Sequence, residues 1–105
     1  MDDLTPALDI AAMRAAAETA TAVLRALANG DRLLLLCQMA QGERSVGELE
    51  ALLGIRQPTL SQQLAVLRSE GLVATRRDGK RIYYAVADAR ILALLDTLHA
   101  LYCKA

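Results

Sequence analysis

The chain contains no tryptophan and no phenylalanine, and its aromatic residues, Tyr83, Tyr84 and Tyr102, amount to 3% of the whole. A core without large rings must be filled by leucine and alanine, which favour helix over sheet. Proline occurs twice and glycine six times in 105 residues, too seldom for a Pro-rich linker or a collagen-like repeat. With 54% hydrophobic and 23% charged residues the composition excludes a disordered chain. Its longest apolar stretches, such as Leu33-Leu34-Leu35-Leu36-Cys37, fall far short of the roughly 20 residues that span a bilayer. The opening Met1-Asp2-Asp3 is acidic where a secretory signal is basic. The expectation is one cytoplasmic domain over residues 1–105, without a membrane partner. No Gly-rich loop cradles a phosphate, so no cofactor is expected and an enzyme has little support.

Charge of neither sign predominates, since twelve basic residues balance twelve acidic ones. The distribution is uneven. Between Arg56 and Arg81 six basic residues stand against Glu70 and Asp78, a local balance of +4 that leaves −4 for the rest. Such a segment either presents a local field to phosphates or is a solvated loop carrying a few arginines.

Helical signals fill most of the chain. Thr5-Pro6 reads as a cap with proline in the first turn of a long helix reaching Ala28. Its broad apolar surface carries Leu8, Met13, Ala16, Ala20, Val23, Leu24 and Leu27. Asn29-Gly30 breaks it, and Asp31 is placed to cap a second helix that runs to about Ala40 and is ended by Gly42. Ser45 and Glu48 have the spacing of a capping box, opening a short helix that Gly54 stops. Another helix begins at Gln57-Pro58, runs to Ser69 and ends at Gly71. Two helices joined by a tight Gly-containing turn make a helix-turn-helix. Beyond Gly71 the period changes: Leu72 to Arg77 and Arg81 to Val86 are β-prone and flank Asp78-Gly79-Lys80, a strong hairpin signal. Asp88 then caps a last helix bearing Ile91, Leu94, Leu95, Leu98, Leu101 and Tyr102. The predicted class is mainly α with a small β-hairpin, in the winged helix-turn-helix order of four helices, hairpin and final helix.

In such a unit the second helix of the pair enters the major groove. Leu60, Leu64 and Leu67 share one face, and at about 100° per residue Gln62 lies nearly opposite, flanked by Thr59 and Ser61. These short or amide-bearing side chains suit base edges, although a polar solvent face looks similar. Arg76, Arg77, Lys80 and Arg81 gather at the hairpin turn, where arginines can hold phosphates while the helix reads bases. The competing reading is a helical protein-interaction module whose basic segment only faces water.

Ala26-Leu27-Ala28-Asn29, the helix QPTLSQQLAVLR from Gln57, EGLV from Glu70 and DGKRIYYAV from Asp78 resemble the ArsR/SmtB family of bacterial winged-helix repressors, over nearly the whole chain and in order. The resemblance implies DNA contacts from Gln57, Thr59, Ser61, Gln62 and Gln63, and wing contacts from Arg77, Lys80 and Arg81. It also implies a homodimer through the first and last helices, bound to an inverted repeat of double-stranded operator DNA with recognition helices roughly 34 Å apart. The apolar face of the last helix points the same way, because one small domain cannot easily bury all of it.

Metal-sensing branches of that family carry Cys-x-Cys on the first helix of the pair, or His and acidic ligands on the last. Here the first position reads Ser45-Val46-Gly47-Glu48-Leu49-Glu50, and the last helix has one histidine, His99. Cys37, Asp96, His99 and Cys103 make a poor tetrahedral set, so no metal is expected, although a metal-responsive repressor using Cys37, His99 and Cys103 stays open as the alternative. The two cysteines lie 66 residues apart, which excludes CxxC redox chemistry. Buried cysteines are often inert small hydrophobes, yet the second and last helices are neighbours in this fold, so Cys37 and Cys103 can meet. One cysteine on each of those helices resembles the persulfide-responsive branch. That resemblance implies that Cys37 and Cys103 are sensing thiols, bridged by a persulfide or polysulfide inducer so that DNA is released from sulfide-detoxification genes.

Overall fold

The computed structural model describes residues 9–103. The expected Thr5-Pro6 cap and Leu8 lie outside these residues. The first helix, α1 (Ile10–Leu27), starts from Asp9, whose carboxylate accepts from the Ala11 and Ala12 backbone N–H groups. The second, α2 (Gly30–Met39), is capped two residues earlier than expected: Asn29, not Asp31, accepts from the Arg32 N–H, and Asp31 sits inside the first turn. Both residues are good caps, and Asn29 has the extended backbone a cap requires.

A two-residue strand, β1 (Arg44–Ser45), leads into α3 (Val46–Leu53). Ser45 and Glu48 form the full reciprocal capping box, and Gly54 ends the helix at φ +70°, where a β-carbon would be strained. The recognition-position helix α4 (Thr59–Ser69) begins two residues later than expected, leaving Gln57 ahead of it and Pro58 at the cap. The hairpin is β2 (Val73–Asp78) and β3 (Arg81–Val86), closed by Gly79 and Lys80 alone because Asp78 pairs with Arg81. Gly79 takes φ +65° at the tip.

The sheet has three strands rather than two, antiparallel in the order β1-β3-β2, with Arg44 opposite Tyr84 and Ser45 opposite Tyr83. A two-residue strand has no periodicity to detect; it exists because β3 offers a free edge. Asp88 caps α5 (Ala89–Leu98), after which His99–Cys103 form a single π turn. This differs from the uninterrupted helix expected through Tyr102, and it shifts Leu101, Tyr102 and Cys103 relative to the α register.

The winged helix-turn-helix is thus the observed fold. One hydrophobic cluster holds it together, with Leu35, Leu36, Leu49, Leu60, Leu64, Leu67 and Ile91 essentially inaccessible. These seven side chains come from α2, α3, α4 and α5. Helix α1 contributes Ala26 and Leu27 at its C-terminal end, while Ile10, Met13 and Leu24 stay more than half exposed. No helix of the described residues is long and apolar enough to cross a membrane.

Candidate nucleic-acid interface and thiol pair

Leu60, Leu64 and Leu67 anchor α4 in the core, and the opposite face carries Thr59, Ser61 and Gln62, all exposed. Gln57 is exposed and acts as a side-chain cap for α4, its Oε1 accepting from the Ser61 N–H at 3.2 Å and from Ser61 Oγ at 2.6 Å. Gln63 lies differently: it is half-buried and turned toward α2, where its Oε1 accepts from Arg32 Nη1 at 2.8 Å. Arg32 was not singled out in the sequence, because nothing local to it signals a partner 31 residues away. Its Nε donates to the Ala26 carbonyl at 2.7 Å and its Nη2 to the Arg25 carbonyl at 3.2 Å. One guanidinium therefore satisfies two carbonyls in the last turn of α1, complements the negative end of that helix, and fixes a side chain of α4.

The wing sorts its cations into two kinds. Arg76 is occupied: its Nε lies 2.9 Å from both carboxylate oxygens of Glu43, and its guanidinium stands 4.8 Å from the centre of the Tyr83 ring. That hydrogen-bonded guanidinium holds the Glu43 carboxyl below its ordinary range. Arg77, Lys80 and Arg81 are exposed, and among the described residues they join no salt bridge. Arg76 and Tyr83 face each other across the strands, while Arg77 opposes Ile82. The alternation of the strand thus turns one arginine back onto the protein and leaves its neighbour outward.

Cys37 is half-buried on α2, at the edge of the core. It lines a cleft of about 360 Å³ together with Ala40 and Gln41 of α2, Leu92, Leu95 and Asp96 of α5, and His99. Cys103 is exposed at the end of the π turn. Burial raises the Cys37 thiol above its usual range, and the charge of Cys103 raises it further. Among the described residues no group of three or more His, Cys, Asp or Glu side chains is arranged to hold a metal ion, so one chain does not assemble Cys37, Asp96, His99 and Cys103 into a ligand set. The sequence offers Asp96 and His99 as poor ligands, and His99 more readily as an ordinary interface or surface histidine; the structure shows both lining the cleft of Cys37.

Comparison with known proteins agrees with this geometry. Residues 29–75 match the family described as "Bacterial regulatory protein, arsR family". The biofilm growth-associated repressor of Agrobacterium fabrum is 50% identical over 96 residues, spanning 91% of this chain and 82% of that protein. The crystal structure of the transcriptional repressor BigR from Xylella fastidiosa superposes with a TM-score of 0.84 at 42% identity, covering 93% of this chain and 100% of that one. A homodimeric winged helix-turn-helix DNA-binding domain from Mycobacterium bovis gives a TM-score of 0.75 at 34% identity, over 96% and 89% of the two chains. The chain belongs to the arsR family of bacterial regulatory proteins, DNA-binding transcriptional regulators built on the winged helix-turn-helix.

Proposed function

We propose that the protein is a homodimeric, cytoplasmic repressor that leaves its operator when reactive sulfur species bridge Cys37 and Cys103, and that it controls sulfide-detoxification genes. The whole chain, 1–105, acts as one DNA-binding and dimerisation domain. Helix α4 enters the major groove with Thr59, Ser61 and Gln62 foremost, and Arg77, Lys80 and Arg81 hold the flanking phosphates. Dimerisation is supported by the unfinished side of the chain. The exposed apolar residues of α1 are matched by Leu101 and Tyr102, 68% and 80% exposed beyond α5. The radius of gyration is 16.2 Å, where a compact domain of this length has about 13 Å. A second copy laid along α1 and α5 covers that face.

The observation that carries the switch is the position of Cys37, facing α5 across a small cleft that is also lined by His99, which opens the π turn ending at Cys103. A thiolate attacks the outer sulfur of an organic persulfide RSSH, forming Cys–S–SH and expelling the thiolate RS⁻. The second thiolate then attacks the inner sulfur, which closes a disulfide and expels HS⁻. Alternatively, where both cysteines carry the extra sulfur, one Cys–S–S⁻ attacks the inner sulfur of the other and closes a trisulfide, again expelling HS⁻. In each case the two protein thiols are oxidised by two electrons and sulfane sulfur is reduced. The bridge ties α2 to the end of α5, and through α5 to the partner, so the two α4 helices leave the spacing of the groove.

A hundredfold loss of affinity requires the bridge to disfavour the DNA-bound shape by about 2.7 kcal/mol. The test is operator binding by Cys37→Ser and Cys103→Ser variants with and without an organic persulfide. The reduced variants should bind as the parent does and ignore the reagent, whereas the parent releases DNA. Release by the double variant, or a parent indifferent to persulfide, overturns thiol sensing.

A further inference from the structure

Two carboxamides near α4 already have their carbonyl oxygens engaged. At Gln57 the oxygen faces the Ser61 N–H and hydroxyl; at Gln63 it faces the Arg32 guanidinium. A backbone N–H and a guanidinium are donors with no acceptor capacity, so the amide nitrogen cannot take the place of the oxygen at either site. Neither carboxamide can turn over. Each is left with its NH₂ group to offer. The Ser61 hydroxyl gives its proton to Gln57 and keeps lone pairs for anything else that approaches. Gln62 is exposed, and no side chain among the described residues claims its carboxamide.

We propose that the α4 surface addresses DNA with a fixed hydrogen-bond polarity: donors only from Gln57 and Gln63, an acceptor from Ser61, and one reversible carboxamide at Gln62, with Arg32 as the positioning residue that sets Gln63. The inference rests on α4 entering the groove and not on the thiol switch. Gln57 and Gln63 then match acceptors, namely guanine O6 and N7, thymine O4 or a phosphate oxygen. Bidentate pairing with the N6 and N7 of adenine needs a donor and an acceptor together, which leaves Gln62 to make it. Because the carbonyls at the end of α1 hold Arg32, the direction of the Gln63 amide is referred to the helix that also faces the proposed partner copy.

Gln57→Glu and Gln63→Glu test the polarity, since each keeps an oxygen for its clamp and replaces the remaining donors by an acceptor. Arg32→Lys tests the positioning, since a lysine cannot span two carbonyls and Gln63 in one plane. The reduced full-length parent is taken through selection from a randomised duplex library. The variants are then selected in parallel and titrated against the parent's duplex, with thermal midpoints measured alongside. Both Glu variants should keep the parent's midpoint and lose about tenfold or more in affinity. Arg32→Lys should broaden the preference at one position in each half-site. Glu variants that hold the parent's duplex as tightly as the parent overturn the polarity. An Arg32→Lys chain with a lowered midpoint and unchanged base preferences overturns the positioning role. A parent that selects no duplex refutes the DNA reading itself, and the polarity with it.

Discussion

The two ends of the molecule are finished to different degrees. At the end formed by α4 and the wing, every apolar anchor of the recognition helix is buried within the one chain. Its polar side chains are either clamped, as Gln57, Gln63 and Arg76 are, or exposed without a partner among the described residues, as Arg77 and Lys80 are. At the end formed by α1 and the last turns of α5, leucine, isoleucine, methionine and tyrosine remain in the open. The first end is a reader complete in itself. The second is the face that the proposed second copy covers, and it is also where Cys103 lies. In the proposed function, thiol chemistry there acts on the helix that sets the distance between two readers and leaves each reader intact.

The comparison breaks most severely at α1. Leu24→Glu places an unpaired charge in the face assigned to the partner and should cost about 3 kcal/mol or more per copy. Sedimentation should find monomers, and operator affinity should fall about a hundredfold or more as the two half-sites lose their linkage. The completed end responds as a single-chain core: Leu64→Ala, at a side chain 2% exposed, should lower folding stability by about 2–5 kcal/mol in denaturant titration.

Thiol chemistry should show the raised titration of Cys37. A raised pKa leaves less thiolate at neutral pH, so adduct formation on Cys37 should quicken roughly tenfold per pH unit until its pKa is passed. Stopped-flow alkylation of the Cys103→Ser variant keeps the trend, with a smaller shift because the second charge is gone. Within the wing, removing Arg77 and Lys80 together should weaken binding to all sequences and reduce the salt slope by about two. Arg76→Ala should leave that slope almost unchanged, since Glu43 already neutralises the guanidinium. The smallest effect is expected from Ser45→Ala, which removes one arm of the α3 capping box at a cost of about 1 kcal/mol.

Much of this is legible in the sequence, because the signals are local. Ser45 with Glu48, Gly54, and Asp78-Gly79 act over four residues or fewer, and the leucine spacing of α4 declares its buried face without help from elsewhere. The misjudged details depend on distant partners. Strand β1 is called into existence by β3, and Asn29 takes the α2 cap two residues ahead of Asp31. The π turn at His99–Cys103 left no periodic mark in so short a segment. The site divided along the same line. Gln62, Arg77 and Lys80 stand where helix and hairpin periodicity put them. The engagement of Gln63 by Arg32 and of Arg76 by Glu43, and the place of Asp96 and His99 beside Cys37, arise from packing between segments far apart in the chain.

The most direct measurement follows both quantities on one sample: peptide-mapping mass spectrometry of the persulfide-treated chain, read beside its operator affinity. A Cys37–Cys103 cross-linked peptide, with or without inserted sulfur, should accumulate in step with the loss of DNA binding and vanish with it on reduction. A bridged chain that still holds its operator at full affinity, or release with both thiols unmodified, would contradict the account.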